Sequence, residues 1–410
     1  MHDLKALPRE IWVIAIAALI NRTGTIVLFF LSYYLLQPRF GFSLGEVGFI
    51  SFAFGFGALL TAPLSGWLSD KIGALQVMKL SLVLSGTILL IYPLGQNFVL
   101  IASLTFLCAL TAEAFRPASY AILNVVVAGP DEMQTLKRRK SAQALYRLAV
   151  NLGFAIGPLI GGFLATRGLW EVIFLVDGAS SILAFVYLSV MLRPVKFQPS
   201  SSGIHATESA IIQSPTTKAI ADRRFRYFLA AMAPALLVFF LEMGALPQFM
   251  KLQLGIDESF FGYLIALNAF LVIVLELPLN WFTRAWSYRR SLTWGALLVA
   301  LGFGSVAFAN SFLFIALTVV IWTFGEMFLL PNSFAYVGSI APKNRQGEYA
   351  GILAMVFNLC LSLAPWLGLL ALSHIPRLMW VAAFVLGGLS AVMISRMAPT
   401  ATESISSSSN

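Results

Sequence analysis

Arg22, Glu113, Arg116 and Glu326 lie near the middle of long apolar runs in this 410-residue chain. A charge at the centre of a membrane helix costs about 2.5–3.5 kcal/mol on insertion scales, so each of these residues needs a reason. Glu113 and Arg116 are three positions apart, on one helical face, and can pair. Lost hydration favours a neutral carboxylate there, whereas a guanidinium one turn away favours the charged form. A carboxylate so balanced can exchange a proton when cargo or conformation tips it. Glu113 is therefore the expected proton carrier and Glu326 the alternate. Arg22 is the expected contact for an anionic cargo group or for Glu113 itself. The cavity reading is taken for Arg22, Glu113 and Glu326. Arg147, Asp177, Glu242 and Glu276 lie off-centre, and for the three acids among them a strut between helices and a functional group remain equal readings.

The elements that must position these charges are transmembrane helices. The chain is 59% hydrophobic and 11% charged, with a mean hydropathy of +0.85. Soluble domains carry roughly 45–50% apolar and about 25% charged residues. Apolar runs of about 20 residues recur, each long enough to cross a hydrocarbon core of about 30 Å. Barrel strands would instead alternate polar and apolar residues over about 10 positions. Twelve spans are predicted, near 9–36, 45–69, 76–95, 98–128, 141–166, 169–192, 225–251, 259–283, 289–309, 312–340, 346–372 and 376–396. A polar stretch follows the sixth span and includes Gln198-Pro-Ser-Ser-Ser-Gly203. The expected organisation is a six-helix half over 1–192, a cytoplasmic linker over 193–222, a second six-helix half over 223–397 and a disordered tail over 398–410.

The halves read as distant repeats. Asn151 and Pro158 in the fifth span are spaced like Asn358 and Pro365 in the eleventh. Glu113 in the fourth corresponds to Glu326 in the tenth, and Gly48 and Pro63 in the second echo Gly262 and Pro278 in the eighth. The net charge of +9 is a topology signal and gives no support for nucleic-acid binding. About 20 of the Lys and Arg residues fall on one side, among them Lys137, Arg138, Arg139, Lys140, Arg223, Arg289, Lys343 and Arg345, against about four on the other, which puts both termini in the cytoplasm.

Two short patterns carry a family resemblance. Gly66-Trp-Leu-Ser-Asp70-Lys71-Ile-Gly73 falls between spans two and three, with Ala74 and Leu75 next. It resembles the loop signature of the major facilitator superfamily, in which a basic pair follows the last glycine. The resemblance implies a conformational latch, with Asp70 attracted to a facing helix N-terminus, that of span eleven. Asn151-x-Gly153-x-x-x-Gly157-Pro158-x-x-Gly161-Gly162 lies in span five. Its glycines share a face and admit a neighbouring backbone, and proline bends the helix. It resembles the antiporter signature of the superfamily's twelve-span drug/proton branch. The first span, Asn21-Arg22-Thr23-Gly24, departs from that branch, which has a proline pair further along.

The resemblance implies an all-α polytopic bundle of twelve transmembrane helices in two six-helix pseudo-repeats. It further implies a secondary active transporter that moves a small organic molecule, exporting cargo in exchange for protons. Proton-coupled uptake of a metabolite, peptide or siderophore-like compound is the rival within transport. A receptor or scaffold on a transporter fold is the rival outside it. An enzyme is not expected, because no nucleophile, base and orienting group cluster together. No phosphate-binding Gly-x-x-x-x-Gly-Lys-Ser/Thr loop is present, so the proton gradient rather than ATP is the expected energy source. His2, His205 and His374 are scattered and suggest no metal site, and no cofactor is expected. Cys108 and Cys360 both lie in apolar segments and imply no disulfide framework. The expected partners are the lipid bilayer, protons and the cargo, with the chain acting as a monomer in the bacterial inner (plasma) membrane. A cysteine placed at Ser201 should resist a membrane-impermeant label applied to intact cells; labelling from outside would overturn the orientation.

Overall fold

The computed structural model describes residues 7–127, 132–192, 219–342 and 345–398. Among the described residues the fold is all-helical, and twelve helices are long and apolar enough to span a bilayer. In order they are Arg9–Leu35, Leu44–Thr61, Ala74–Leu94, Phe98–Leu123, Ser141–Thr166, Trp170–Met191, Arg223–Met243, Glu258–Phe282, Tyr288–Phe308, Phe312–Ile340, Gln346–His374 and Leu378–Ser395. These are the expected spans within a few residues. Residues 193–218 of the expected linker, most of the expected tail and Lys343 lie outside the described residues.

Three spans expected to be continuous are broken. In the fourth, one helix ends at Ala112 and the next begins at Phe115. Pro117 lacks an N–H, and its ring collides with the carbonyl four residues back, that of Glu113. In the seventh, Arg223–Phe239 and Ala245–Leu254 flank a 3-10 turn at Phe240–Met243. Pro247 acts there in the same way on Met243.

No proline explains the first span, which divides into Arg9–Gly24 and Val27–Leu35. The free N–H groups opened by this break face Asp177 of span six. Its Oδ2 accepts hydrogen bonds from Ile26 N at 3.2 Å and Val27 N at 3.1 Å. Gly24 lets the two spans meet, since a β-carbon there would run into the Ser180 side chain. The hydroxyls of Thr23 and Thr25 turn back onto the carbonyls of Leu19 and Asn21, at 2.8 and 3.1 Å. The backbone amides and the threonine hydroxyls at the break thus find local partners, as hydrocarbon surroundings demand.

Two compact units are described separately. Unit 1 gathers Met1–Phe197, Met243–Ile273 and Pro365–Leu370; unit 2 gathers Gln198–Glu242, Val274–Ala364 and Ala371–Asn410. This grouping crosses the boundary between the sequence halves, because parts of spans seven, eight and eleven belong to unit 1. In unit 1 a buried core joins Ile14, Met78, Phe115, Ile122, Tyr146 and Leu188. Lipid offers no hydrophobic contrast, so close packing of small residues must hold such helices together. Gly86 of span three and Gly178 of span six meet in this way, each facing the other's carbonyl oxygen. In unit 2, Gly295 of span nine and Gly325 of span ten do the same.

The break in span one generates a stability prediction. Asp177→Asn keeps an acceptor oxygen, whereas Asp177→Ala leaves the Val27 N–H without one. The alanine variant should lose about 1–3 kcal/mol, read as a lower thermal midpoint in detergent, and the asparagine variant less. An alanine variant as stable as the parent would show that the break needs no acceptor.

Candidate functional site

A polar cavity of about 60 Å3 opens at the break of span one. Spans one, two, three, four and six line it. Arg22 and Glu113, singled out from the sequence, both face it, as do Asn21, Ser85, Asp177 and Ser181. Arg22 is 8% exposed and Asp177 5%, so both charges are withdrawn from bulk solvent and lipid alike. Arg22 sits in the last turn of Arg9–Gly24, where the carbonyl end of a helix favours a cation. Asp177 sits at the amide end of the following piece, where an anion is favoured. The two lie within electrostatic reach of each other without forming an ion pair. The Arg22 guanidinium lies 5.5 Å from the Phe154 ring centroid. Among the described residues no acceptor hydrogen-bonds it. Asn21 Nδ2 donates to Ser181 Oγ at 3.1 Å and ties spans one and six together beside the cavity.

Glu113 does not pair with Arg116, contrary to the sequence expectation. Their spacing presumed a continuous helix, but one helix ends at Ala112 and the next begins at Phe115. Glu113 is half-buried and faces the cavity, while Arg116 is exposed and does not line it. Glu326 belongs to unit 2, where it lies within electrostatic reach of Glu242. Glu242 is only 6% exposed. Asn151 and Asn358 are each half-buried.

The glycine stripe of span five meets its neighbours on two faces. A β-carbon at Gly153 would stand 2.6 Å from Arg22 Cβ, and one at Gly157 would stand 2.9 Å from the Thr23 carbonyl oxygen. One at Gly161 would run into Ile26 and Phe30. This face therefore holds span one along its break and seats Arg22 at the cavity. On the other face, a β-carbon at Gly162 would stand 2.8 Å from Ser259 Cα. Pro158 is met by Gly262, which has no room for a side chain against the Pro158 carbonyl. Span eight thus lies against span five within unit 1.

The loop pattern behaves differently. Asp70 is exposed, and among the described residues it has no hydrogen bond or ion pair. Lys71 lies over the Trp67 ring, 4.0 Å from its centroid. Gly73 has φ +88° and ends the second span's helix, a conformation that strains any side chain. Gly66 was expected to admit a neighbouring helix, yet open space surrounds it. The first turn of span eleven carries its own acid: Glu348 pairs with Arg345 at 2.6 Å and accepts from Ala219 N at 2.9 Å.

The sequence reading left Asp177 undecided and passed over Asn21, Ser85 and Ser181. The signal available was Asp177-Gly-Ala-Ser-Ser181, a polar and small-residue segment inside an apolar span.

A model of the Major Facilitator Superfamily matches residues 12–244 and 227–408. The chain is similar to the uncharacterised MFS-type transporter YqjV of Bacillus subtilis, 24% identical over 87% of this chain and 85% of the relative. It is also similar to Multidrug resistance protein 2 of the same organism, 24% identical over 78% of each. A third relative is the Quinolone resistance protein NorA of Staphylococcus aureus, 25% identical over 42% of each chain. Among solved structures, the peptide transporter POT in complex with sulfate superposes with a TM-score of 0.76 at 15% identity, covering 94% of this chain and 93% of that one. A variant of the nucleoside transporter NupG superposes with a TM-score of 0.74 at 13% identity, covering 94% and 98%. These relatives and structural neighbours are transporters, not enzymes.

The glycine geometry separates two substitutions that look alike in sequence. Gly157→Ala places a methyl against a backbone carbonyl and should destabilise by about 1–3 kcal/mol, as overpacking does, with Gly157→Leu worse still. Gly66→Ala meets nothing and should leave the thermal midpoint unchanged or raise it, since alanine favours a helix. Equal midpoints for the Gly157→Ala and Gly66→Ala variants would show that span five does not rest on span one.

Proposed function

The chain belongs to the major facilitator superfamily, and from that premise we propose that it exports a small organic molecule in exchange for protons. A multi-pass integral membrane protein of this family implies a small-molecule cargo and alternating access to it. The observation that carries the export reading is span five. Its Gly153–Gly162 segment grips the break of span one on one face and span eight on the other. Similarity to Multidrug resistance protein 2 and to NorA supports the same direction.

We place both termini in the cytoplasm of a bacterial cell and the chain, acting as a monomer, in its plasma (inner) membrane; Bacillus and Staphylococcus relatives and the distribution of basic residues support this. In that frame the span five–span eight contact lies at the outer end, and Asp70 lies at the cytoplasmic end. An exposed Asp70 fits a latch that is released while the outer end is closed. A helix N-terminus attracts a carboxylate by typically 0.3–1 kcal/mol and up to about 2 when partly buried, enough to shift a balanced equilibrium several-fold. The division into halves at residues 193–222 lets each half move as a body.

Glu113 is the proposed proton carrier of the first half, and Glu326, beside Glu242, that of the second. Glu113 faces the cavity without an ion-pair partner among the described residues. In proteoliposomes bearing a pH gradient, Glu113→Gln should abolish gradient-driven transport while retaining cargo binding and downhill exchange. Full gradient-driven transport by a normally expressed Glu113→Gln variant would pass the role to Glu326.

A further inference from the structure

Two opposite charges face the same small cavity, and neither is paired within the protein. The Arg22 guanidinium is 8% exposed and has five N–H donors in a fixed fork, a geometry that matches a carboxylate. No acceptor among the described residues takes them. Glu113 also faces the cavity, and no lysine or arginine among the described residues lies within ion-pair distance of it. Asp177 is the third charge, but its Oδ2 is engaged by two backbone N–H groups. Tyr92 of span three and Cys108 of span four complete the ionisable groups facing Glu113 here. An unanswered donor or acceptor in such surroundings carries its full desolvation cost. A ligand that answers both charges at once relieves both costs.

We infer that this cavity, between spans one, two, three, four and six, binds the ammonium–carboxylate head of a zwitterionic cargo, carboxylate on Arg22 and ammonium on Glu113. This rests on the transport reading above and names its substrate class. An anion alone would answer Arg22 and leave Glu113 without a cation; a cation alone would leave the guanidinium unanswered. The neutral hydrogen-bonding groups of Asn21, Ser85 and Ser181 suit the remaining polar atoms of such a head. A cavity of about 60 Å3 holds a few water-sized groups, so it takes the head and leaves the rest of the cargo outside.

The test is binding by the purified full chain in detergent, read as thermal protection. The probes are leucine and phenylalanine, their methyl esters, which keep only the cation, and their N-acetyl derivatives, which keep only the anion. The free amino acids should protect at concentrations at least tenfold lower than either derivative. Arg22→Gln should remove the advantage of the acid over its ester, and Glu113→Gln its advantage over the N-acetyl form. Equal protection by ester or N-acetyl form, protection by none of the free amino acids, or discrimination that survives both substitutions would overturn the assignment. Arg22→Lys, which keeps the charge but loses the fork, should retain part of the preference and so separate ligand recognition from misfolding. Methyl esters driven by a proton gradient in proteoliposomes, with no response to the free acids, would leave the transport reading standing and this one refuted.

Discussion

A helix that breaks inside a membrane must answer the polar ends it creates, and span one answers them with side chains from another span. Its first piece ends with Arg22 near its carbonyl end, and its second begins with amides held by Asp177. Each group left unanswered there costs several kcal/mol in hydrocarbon. The break is therefore tied to span six as firmly as a packed core would tie it. Span five then closes on the same point, because only glycine at 153, 157 and 161 lets its backbone lie against Arg22, Thr23 and Ile26. The cavity, the buried guanidinium and the helix contacts all follow from that one interruption.

The same interruption accounts for the two charges placed at it. A continuous helix spends its carbonyls on its own amides and presents no field along its side. Its ends do present one, equivalent to about half a charge each. Arg22 and Asp177 are stabilised by opposite ends of the break, which offsets part of the cost of burying them. Span seven shows a related arrangement: buried Glu242 stands two residues before Gly244, as Arg22 stands two before Gly24. In both spans an ionisable side chain is placed at the interruption.

The spans themselves were legible because twenty apolar residues in a row have one physical use. The breaks in spans four and seven were legible in principle, since Pro117 and Pro247 each lie four residues beyond the carbonyl they displace. The break in span one was not, because its cause lies about 150 positions away at Asp177 and nothing local announces it. For the same reason Arg22 and Glu113 could be named from sequence but their shared cavity could not: it depends on how five spans are rotated about their axes. The Glu113–Arg116 pair failed on a local rule, helical spacing applied across the break between Ala112 and Phe115. Gly66 failed differently. A glycine signature shows where a neighbour could approach, while the structure decides whether one does.

The repeat read from the sequence acquires a mechanical meaning in unit 1. Gly262 of span eight lies against Pro158 of span five, and its sequence counterpart Gly48 of span two lies against Trp366, next to Pro365, the counterpart of Pro158 in span eleven. Gly244, at the break of span seven, meets Pro365 as the break of span one meets the glycines around Pro158. Phe52 packs on Trp366 with ring centroids 5.4 Å apart, and Tyr33 Oη donates to the Pro247 carbonyl at 2.8 Å. This end of the bundle is thus shut by two equivalent backbone contacts, each made of a glycine and the turn beside a proline. Contacts of that kind are short-ranged: a gap of about 0.5–1 Å already forfeits roughly a quarter to a half of the dispersion attraction. The two contacts, related by the repeat, would therefore weaken over the same small separation.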